Sequence, residues 1–165
     1  MVLQLTSLET LAAMLPAKGR LMGFDLGTKT IGLAISDVER SIASPLLTIS
    51  RRKFTLDVED IKAQIIRHDI KALVFGMPLN MDGSSGPRAQ ATKGFIHNLS
   101  KTIDLPVATW DERLSTAAVT RDLIEQDVSR ARRAQLVDKL AAAYILQGAL
   151  DRLARLPQTH TAPSN

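Results

Sequence analysis

The chain has 165 residues, 45% hydrophobic and 23% charged, with 21 Lys and Arg against 17 Asp and Glu and no cysteine. That is enough for one domain with its own core, and the cysteine count excludes disulfides, thiolate catalysis and Cys-ligated zinc or iron–sulfur centres. A net charge of +4 favours an acidic partner such as nucleic acid, while an aromatic content of 4% leaves few rings on which bases could stack.

No apolar run approaches the roughly 20 residues of a membrane span. The first 16 residues lack a basic leader and carry Glu9 inside their apolar pattern, so a signal peptide is not expected and the cytoplasm is the expected location. Thr6-Ser-Leu-Glu9 fits a capping box, and Leu8, Leu11, Ala12 and Leu15 follow at helical spacing until Pro16. A helical extension over residues 1–18, laid on the domain for packing, is the reading.

Leu21 to Asp37, LMGFDLGTKTIGLAISD, reads as strand, tight turn and strand, with Asp25 where the first strand runs out. Both arms are nearly all apolar, which predicts a hairpin buried on both faces. An acid at the end of such a strand is costly unless something positive meets it: a divalent metal, or a metal carried by a nucleotide phosphate. A third strand is expected over Ile42–Ser50, with Pro45 marking an edge or a bulge, and Arg51-Arg-Lys53 closes it. Thr55–His68 reads as an amphipathic helix with Leu56, Ile61, Ile65 and Ile66 on its apolar side.

Ala72–Phe75 reads as a buried strand, followed by the longest loop, Gly76 to Pro87. A helix over Arg88–Lys101 and a strand over Val107–Trp110 follow, the latter ended by Asp111-Glu112-Arg113. Ser115 or Thr116 caps a helix to about Gln126, and Ser129 caps the last one, Arg130 to about Leu156, before a disordered tail over 157–165. Three consecutive strands, then helix–strand–helix–strand–helix–helix, predict an α/β domain over 19–156: a mixed five-stranded sheet with helices on both faces, the layout of the ribonuclease H-like fold.

Crossover strands point the same way, so their carboxyl ends share one edge, which gathers Asp25, Asp111 and Glu112. Asp138 is a fourth candidate. Ala134, Ala141, Ala142 and Ile145 surround it at helical spacing, so it falls on a packed stripe whose small residues let the helix approach the sheet edge. Pairing with Arg133 or Lys139 is the alternative for Asp138. Carboxylates converging there make a hard-oxygen site for Mg²⁺ or Mn²⁺, and two such ions about 4 Å apart suit phosphodiester hydrolysis. His68, His97 and His160 read as surface or helix-end residues. Lys29, Arg88, Arg113 and the cluster Arg130, Arg132 and Arg133 are the candidate phosphate-binding cations, and Ser84, Ser85 and their glycines could offer backbone N–H groups. A solvated helix end and an ordinary loop are the plainer readings of the last two features.

MGFDLGTKTIGLAISD, GMPLNMDGSSGPRA, WDERLST and VDKLAAAYILQ, in this order, resemble the YqgF family, whose members are described as pre-16S rRNA nucleases and Holliday junction resolvase-like proteins. The resemblance covers roughly Arg20 to Gln147. It implies a ribonuclease H-like fold and metal-dependent cleavage of nucleic acid: trimming of the 5′ end of the small-subunit rRNA precursor, free or within a pre-ribosomal particle, or resolution of branched DNA. By position, Asp25, Glu112 (with Asp111 before it) and Asp138 match the family's acids. The family often reads DERLSTVEA, where this chain has Ala118, so any carboxylate role there is lost; the residues before Gly19 lie outside the usual start.

Two other readings compete. FDLGTKTIGLAI also resembles the phosphate-binding hairpin of sugar kinases and heat-shock chaperone ATPases, but a chain this short has no second lobe to enclose ATP and no second such hairpin. A non-catalytic nucleic-acid-binding module would leave three carboxylates to repel one another without use. Monomer and homodimer both remain open, a two-fold junction calling for the latter.

Overall fold

The computed structural model describes residues 5–114 and 130–157, and the side chains of the last helix from Lys139 onward. Its strands are β1 (Leu5–Thr6), β2 (Arg20–Leu26), β3 (Thr30–Ser36), β4 (Ala43–Ser50), β5 (Ile70–Met77) and β6 (Val107–Asp111). Its helices are α1 (Leu8–Met14), α2 (Phe54–His68), α3 (Pro87–Leu99) and α4 (Arg130–Arg155). The helix expected from Ser115 or Thr116 to Gln126, the Ser129 cap, His160 and the tail beyond Pro157 lie outside the described residues.

The sheet has six strands in the order β1-β6-β5-β2-β3-β4, one more than the five expected. The extra strand comes from the N-terminal segment. Leu5 and Thr6 pair in parallel with Val107 and Ala108 of β6, and the Thr6 hydroxyl donates to the Val107 carbonyl at 3.4 Å. The expected capping box is therefore displaced by one residue: Ser7 caps α1, its hydroxyl accepting from the Thr10 N–H at 3.1 Å. A two-residue strand is too short for any period-2 signal, and Val107 decides it from 101 positions away. Of the apolar stripe expected for this helix, Leu8 and Leu11 are buried, Leu15 is half-buried and Ala12 is exposed.

The hairpin β2–β3 is buried on both faces, as its two apolar arms require. Pro45 sits both on an edge strand and at an irregularity: β4 is the outermost strand, and its register against β3 shifts between Leu33 and Ala34, next to Pro45. On one face of the sheet, Met22, Phe24, Leu73 and Phe75 pack against Val58 and Ile61 of α2 and Phe95, Ile96 and Leu99 of α3. On the other, Leu21, Ala72, Val74 and Ala108 meet α1 and Ala141, Ala142, Ile145 and Leu146 of α4. The apolar side expected for α2 is rotated. Leu56 and Ile66 are exposed, while Asp57 is buried and its carboxylate accepts the Arg52 N–H at 3.0 Å, closing the turn into the helix. Hydrophobicity alone cannot foresee a buried acid whose partner is a backbone amide.

Helix α4 lies unusually close to the sheet. A Cβ on Gly23 would stand 2.7 Å from Leu146 Cβ and 3.0 Å from the Ala142 carbonyl oxygen. Glycine on the strand and alanines on the helix together permit that approach.

Candidate active site at the carboxyl edge of the sheet

Alternation along β2 puts Leu21, Gly23 and Asp25 on the α4 face, and Asp25 pairs across the hairpin with Gly32 of β3. Asp25 is 2% exposed. The next strand, β5, carries Gly76 one residue beyond the Phe24–Phe75 pair, on the same face as Val74. From the far side, Glu112 opens a 3-10 turn immediately after β6 and is 9% exposed. Its Oε1 reaches to 2.8 Å from where a Cβ on Gly76 would stand, and Ile145 of α4 closes on the same spot. The missing side chain at Gly76 is what lets a carboxylate lie against the strand there. Two acids from sequence-distant strands thus share one buried face at one edge.

The third expected acid, Asp138, has its backbone in α4 but its side chain outside the described residues. It stands one turn before Ala142, and α4 runs against the direction of β2, with Ala142 and Leu146 over Gly23 and Gln147 bonded to Ser41 and Ala43 beyond the other end of the hairpin. The helix therefore leads from Ala142 toward the edge that holds Asp25. The cations Arg130, Arg132 and Arg133 open the same helix, their side chains likewise outside the described residues.

Asp111 goes elsewhere. It pairs in register with Met77, one step past Gly76 and Trp110, so the pleat turns it away from the α4 face. Its carboxylate is held by Arg113: Nε at 3.0 Å from both oxygens, Nη2 at 2.6 Å, and the Arg113 backbone N–H at 3.0 Å. The hydrogen bond from Arg113 holds the Asp111 carboxyl below the usual carboxylate range, and the same bond raises Arg113.

The loop after β5 is closed on itself. Asn80 N–H donates to Ser84 O at 2.9 Å, Gly83 N–H to Asn80 O at 2.8 Å and Ser84 N–H to Asp82 Oδ1 at 2.9 Å. The amides of Gly83 and Ser84, candidate phosphate donors by sequence, are thereby engaged within the loop. Lys29 and Arg88 are exposed, Lys29 in the turn after β2 and Arg88 in the first turn of α3. His68 ends α2 and His97 is exposed on α3, both on the helices that cover the face away from Asp25.

Sequence reasoning missed one group of cations at this edge. Arg51 N–H donates to Lys29 O at 2.9 Å and its guanidinium to Gly27 O at 2.7 Å, which seats the 51–53 segment on the turn after Asp25. Arg52 is paired with Asp60 at 2.6 Å, and Lys53 is exposed. The signal was available: antiparallel pairing of β3 with β4 sets Ser50 opposite Thr30, so the residues after Ser50 must lie beside the turn.

As to metal, the donor set is hard oxygen only, and among the described residues Asp25 and Glu112 supply it; no group of three acids or histidines forms there without a further ligand such as Asp138. Two carboxylates buried on one face, with a glycine opening the space between strand and helix, fit a hard divalent cation.

Six strands in this order, all running the same way except β3, with helices on both faces and buried acids at the carboxyl edge, define a ribonuclease H-like fold. Two solved structures share it. Thermus thermophilus RuvC in complex with Holliday junction substrate has a TM-score of 0.52 at 15% identity, over 83% of this chain and 97% of that one. The yeast mitochondrial Holliday junction resolvase has 0.51 at 11% identity, over 89% and 84%. The chain belongs to the RuvX (YqgF) family, whose model, described as Holliday junction resolvase, matches residues 19–152. A relative from Beijerinckia indica is 60% identical over 96% of both chains, and one from Rhodobacter capsulatus is 56% identical over 93% of this chain and 96% of its own. Both carry the name "Putative pre-16S rRNA nuclease".

Proposed function

We propose that the protein is a metal-dependent nuclease that hydrolyses phosphodiester bonds of structured RNA, trimming the 5′ end of the small-subunit rRNA precursor in the cytoplasm. The observation that supports this reading is that Asp25 and Glu112 are both buried at the carboxyl edge, with Glu112 lying against Gly76 of the strand next to that of Asp25. With Asp138 they would hold Mg²⁺ or Mn²⁺, which when bound supplies charge to polarise the phosphate and lowers the pKa of the attacking water. The chain's own part is to keep those oxygens rigid and partly dry: Gly76 makes the room, and Ile145 closes it on the helix side. Lys29, Lys53 and Arg88, with the Arg130, Arg132 and Arg133 helix start, are the cations that would meet the phosphates on either side of the cut. In chain terms, residues 19–156 are the catalytic unit and β1 with α1 completes its sheet edge.

The description of the matching family model favours a second substrate, four-way junction DNA, which would ask for a two-fold dimer. One experiment separates the readings. Labelled precursor rRNA and a four-way junction are incubated with Mg²⁺, Mn²⁺ or EDTA, using wild type and Asp25→Asn. The expected result is metal-dependent cuts in the RNA that fall at least about a hundredfold in Asp25→Asn, with binding retained. Cuts confined to the junction would move the role to recombination. Tight binding with no cleavage of either substrate would leave a binding module.

A further inference from the structure

The structure assigns Arg113 a positioning role: buttressed by Asp111, it latches the Asn80–Ser84 loop to the turn that carries Glu112. Three observations converge on it. First, Asp111 does two jobs at once: it accepts the Arg113 backbone N–H, which fixes the 3-10 turn on either side of Glu112, and it grips the guanidinium with both oxygens. Second, the guanidinium reaches across 32 positions of sequence, Nη1 donating to the Met81 carbonyl at 3.2 Å. Third, the loop is shaped to receive it. Gly83 sits at φ +86°, and a Cβ there would meet Nη1 at 3.5 Å, while Asp82 adds attraction from the same side.

With Arg113 so engaged, the loop is tied at its tip to the Glu112 turn and at its base to β5. Its own hydrogen bonds from Asn80 to Ser84 keep it closed, and the Met81 side chain is 94% exposed. A phosphate ligand needs its guanidinium directed at solvent; this fork is already matched in planar geometry to a carboxylate, where Lys cannot replace it. The functional consequence rests on the nuclease reading: a loop fixed relative to Glu112 positions the strand being cut, so loosening the latch lowers turnover while leaving the electrostatic attraction for nucleic acid unchanged.

The test compares wild type, Arg113→Lys, Arg113→Gln and Asp111→Asn as full-length proteins, with far-UV circular dichroism as the control for folding. Three quantities are read: kcat on precursor rRNA and on the junction, the slope of log Kd against log salt for the same nucleic acids in EDTA, and hydrogen exchange of the amides over residues 80–84. A latch predicts that Arg113→Lys and Asp111→Asn both lose about ten- to a hundredfold in kcat as positioning is lost. It predicts faster exchange at Gly83 and Ser84 in every variant, and a salt slope in Arg113→Gln equal to that of wild type. A phosphate contact instead predicts that Arg113→Gln reduces the slope by about 0.7 to 0.9, that Arg113→Lys keeps its activity, and that exchange is unaltered; that outcome overturns the proposal. Should wild type cut neither substrate, the nuclease reading falls, and the latch is decided by exchange alone: unchanged protection at 80–84 in Arg113→Gln and Asp111→Asn sinks it.

Discussion

The two ends of β2 treat charge in opposite ways. At the amino end, charged side chains serve the backbone. Arg40, itself at φ 57°, donates to the carbonyls of Gly19, Pro16 and Ala17 at 3.0, 2.8 and 3.2 Å, stitching the α1–β2 connection to the β3–β4 turn. Asp37 accepts the N–H groups of Ser41 and Ile42 at 2.8 and 2.9 Å and the Ser41 hydroxyl at 2.8 Å. At the carboxyl end, two acids are buried beside a glycine, and the arginine next to them is matched to a third acid rather than to a chain terminus or turn carbonyl alone. The polar groups at the two ends are thus distinguished by what surrounds them. Those at the amino end satisfy amides and carbonyls that folding would otherwise strand, whereas those at the carboxyl end occupy a site where oxygen ligands gather and side chains are cleared away.

Substitutions at the two ends should separate accordingly. The largest split is expected at Gly76→Ala. Its methyl would crowd the Glu112 carboxylate and Ile145, costing about 1–3 kcal/mol of overpacking, but displacing Glu112 should cut turnover by more than tenfold. Thermal unfolding and cleavage assays run side by side read the two effects, and equal losses in both would erase the contrast. Arg40→Ala should do the reverse. Losing a guanidinium from three carbonyls should cost about 1–2 kcal/mol, lowering the unfolding midpoint by about 2–8 °C while kcat stays at the wild-type value.

The smallest effect is one of pH. The backbone N–H of Ile42 and the Ser41 hydroxyl hold the Asp37 carboxyl down to about 2, from an ordinary value of 3.8. A depressed carboxylate favours the fold above its unfolded pKa and ceases to do so once both states are protonated. Its stabilisation is therefore complete above about pH 4 and is lost as pH falls toward 2. Asp37→Asn should flatten the acid limb of stability in that window, and an unchanged acid limb would show that those hydrogen bonds count for nothing.

Much of this was legible in the chain. The two apolar arms around Gly27 specify a hairpin buried on both faces, and Ala141, Ala142 and Ile145 mark the helical stripe that meets the sheet. That Asp25 lies at a buried strand end can be read from the residues around it alone, because burial tracks hydrophobic patterning and local spacing. Tertiary structure decided the rest. Whether Asp111 or Glu112 joins Asp25 turns on a single pleat, fixed by the pairing of Met77 with Asp111; a shift of one residue would exchange their faces. The partner of Arg113 is a carbonyl 32 residues away, and β1 exists because β6 offers it an edge. Periodicity carries which face a residue takes within its own element. Register and the packing of distant elements carry who meets whom, and no local pattern encodes those, since they depend on the whole sheet being assembled.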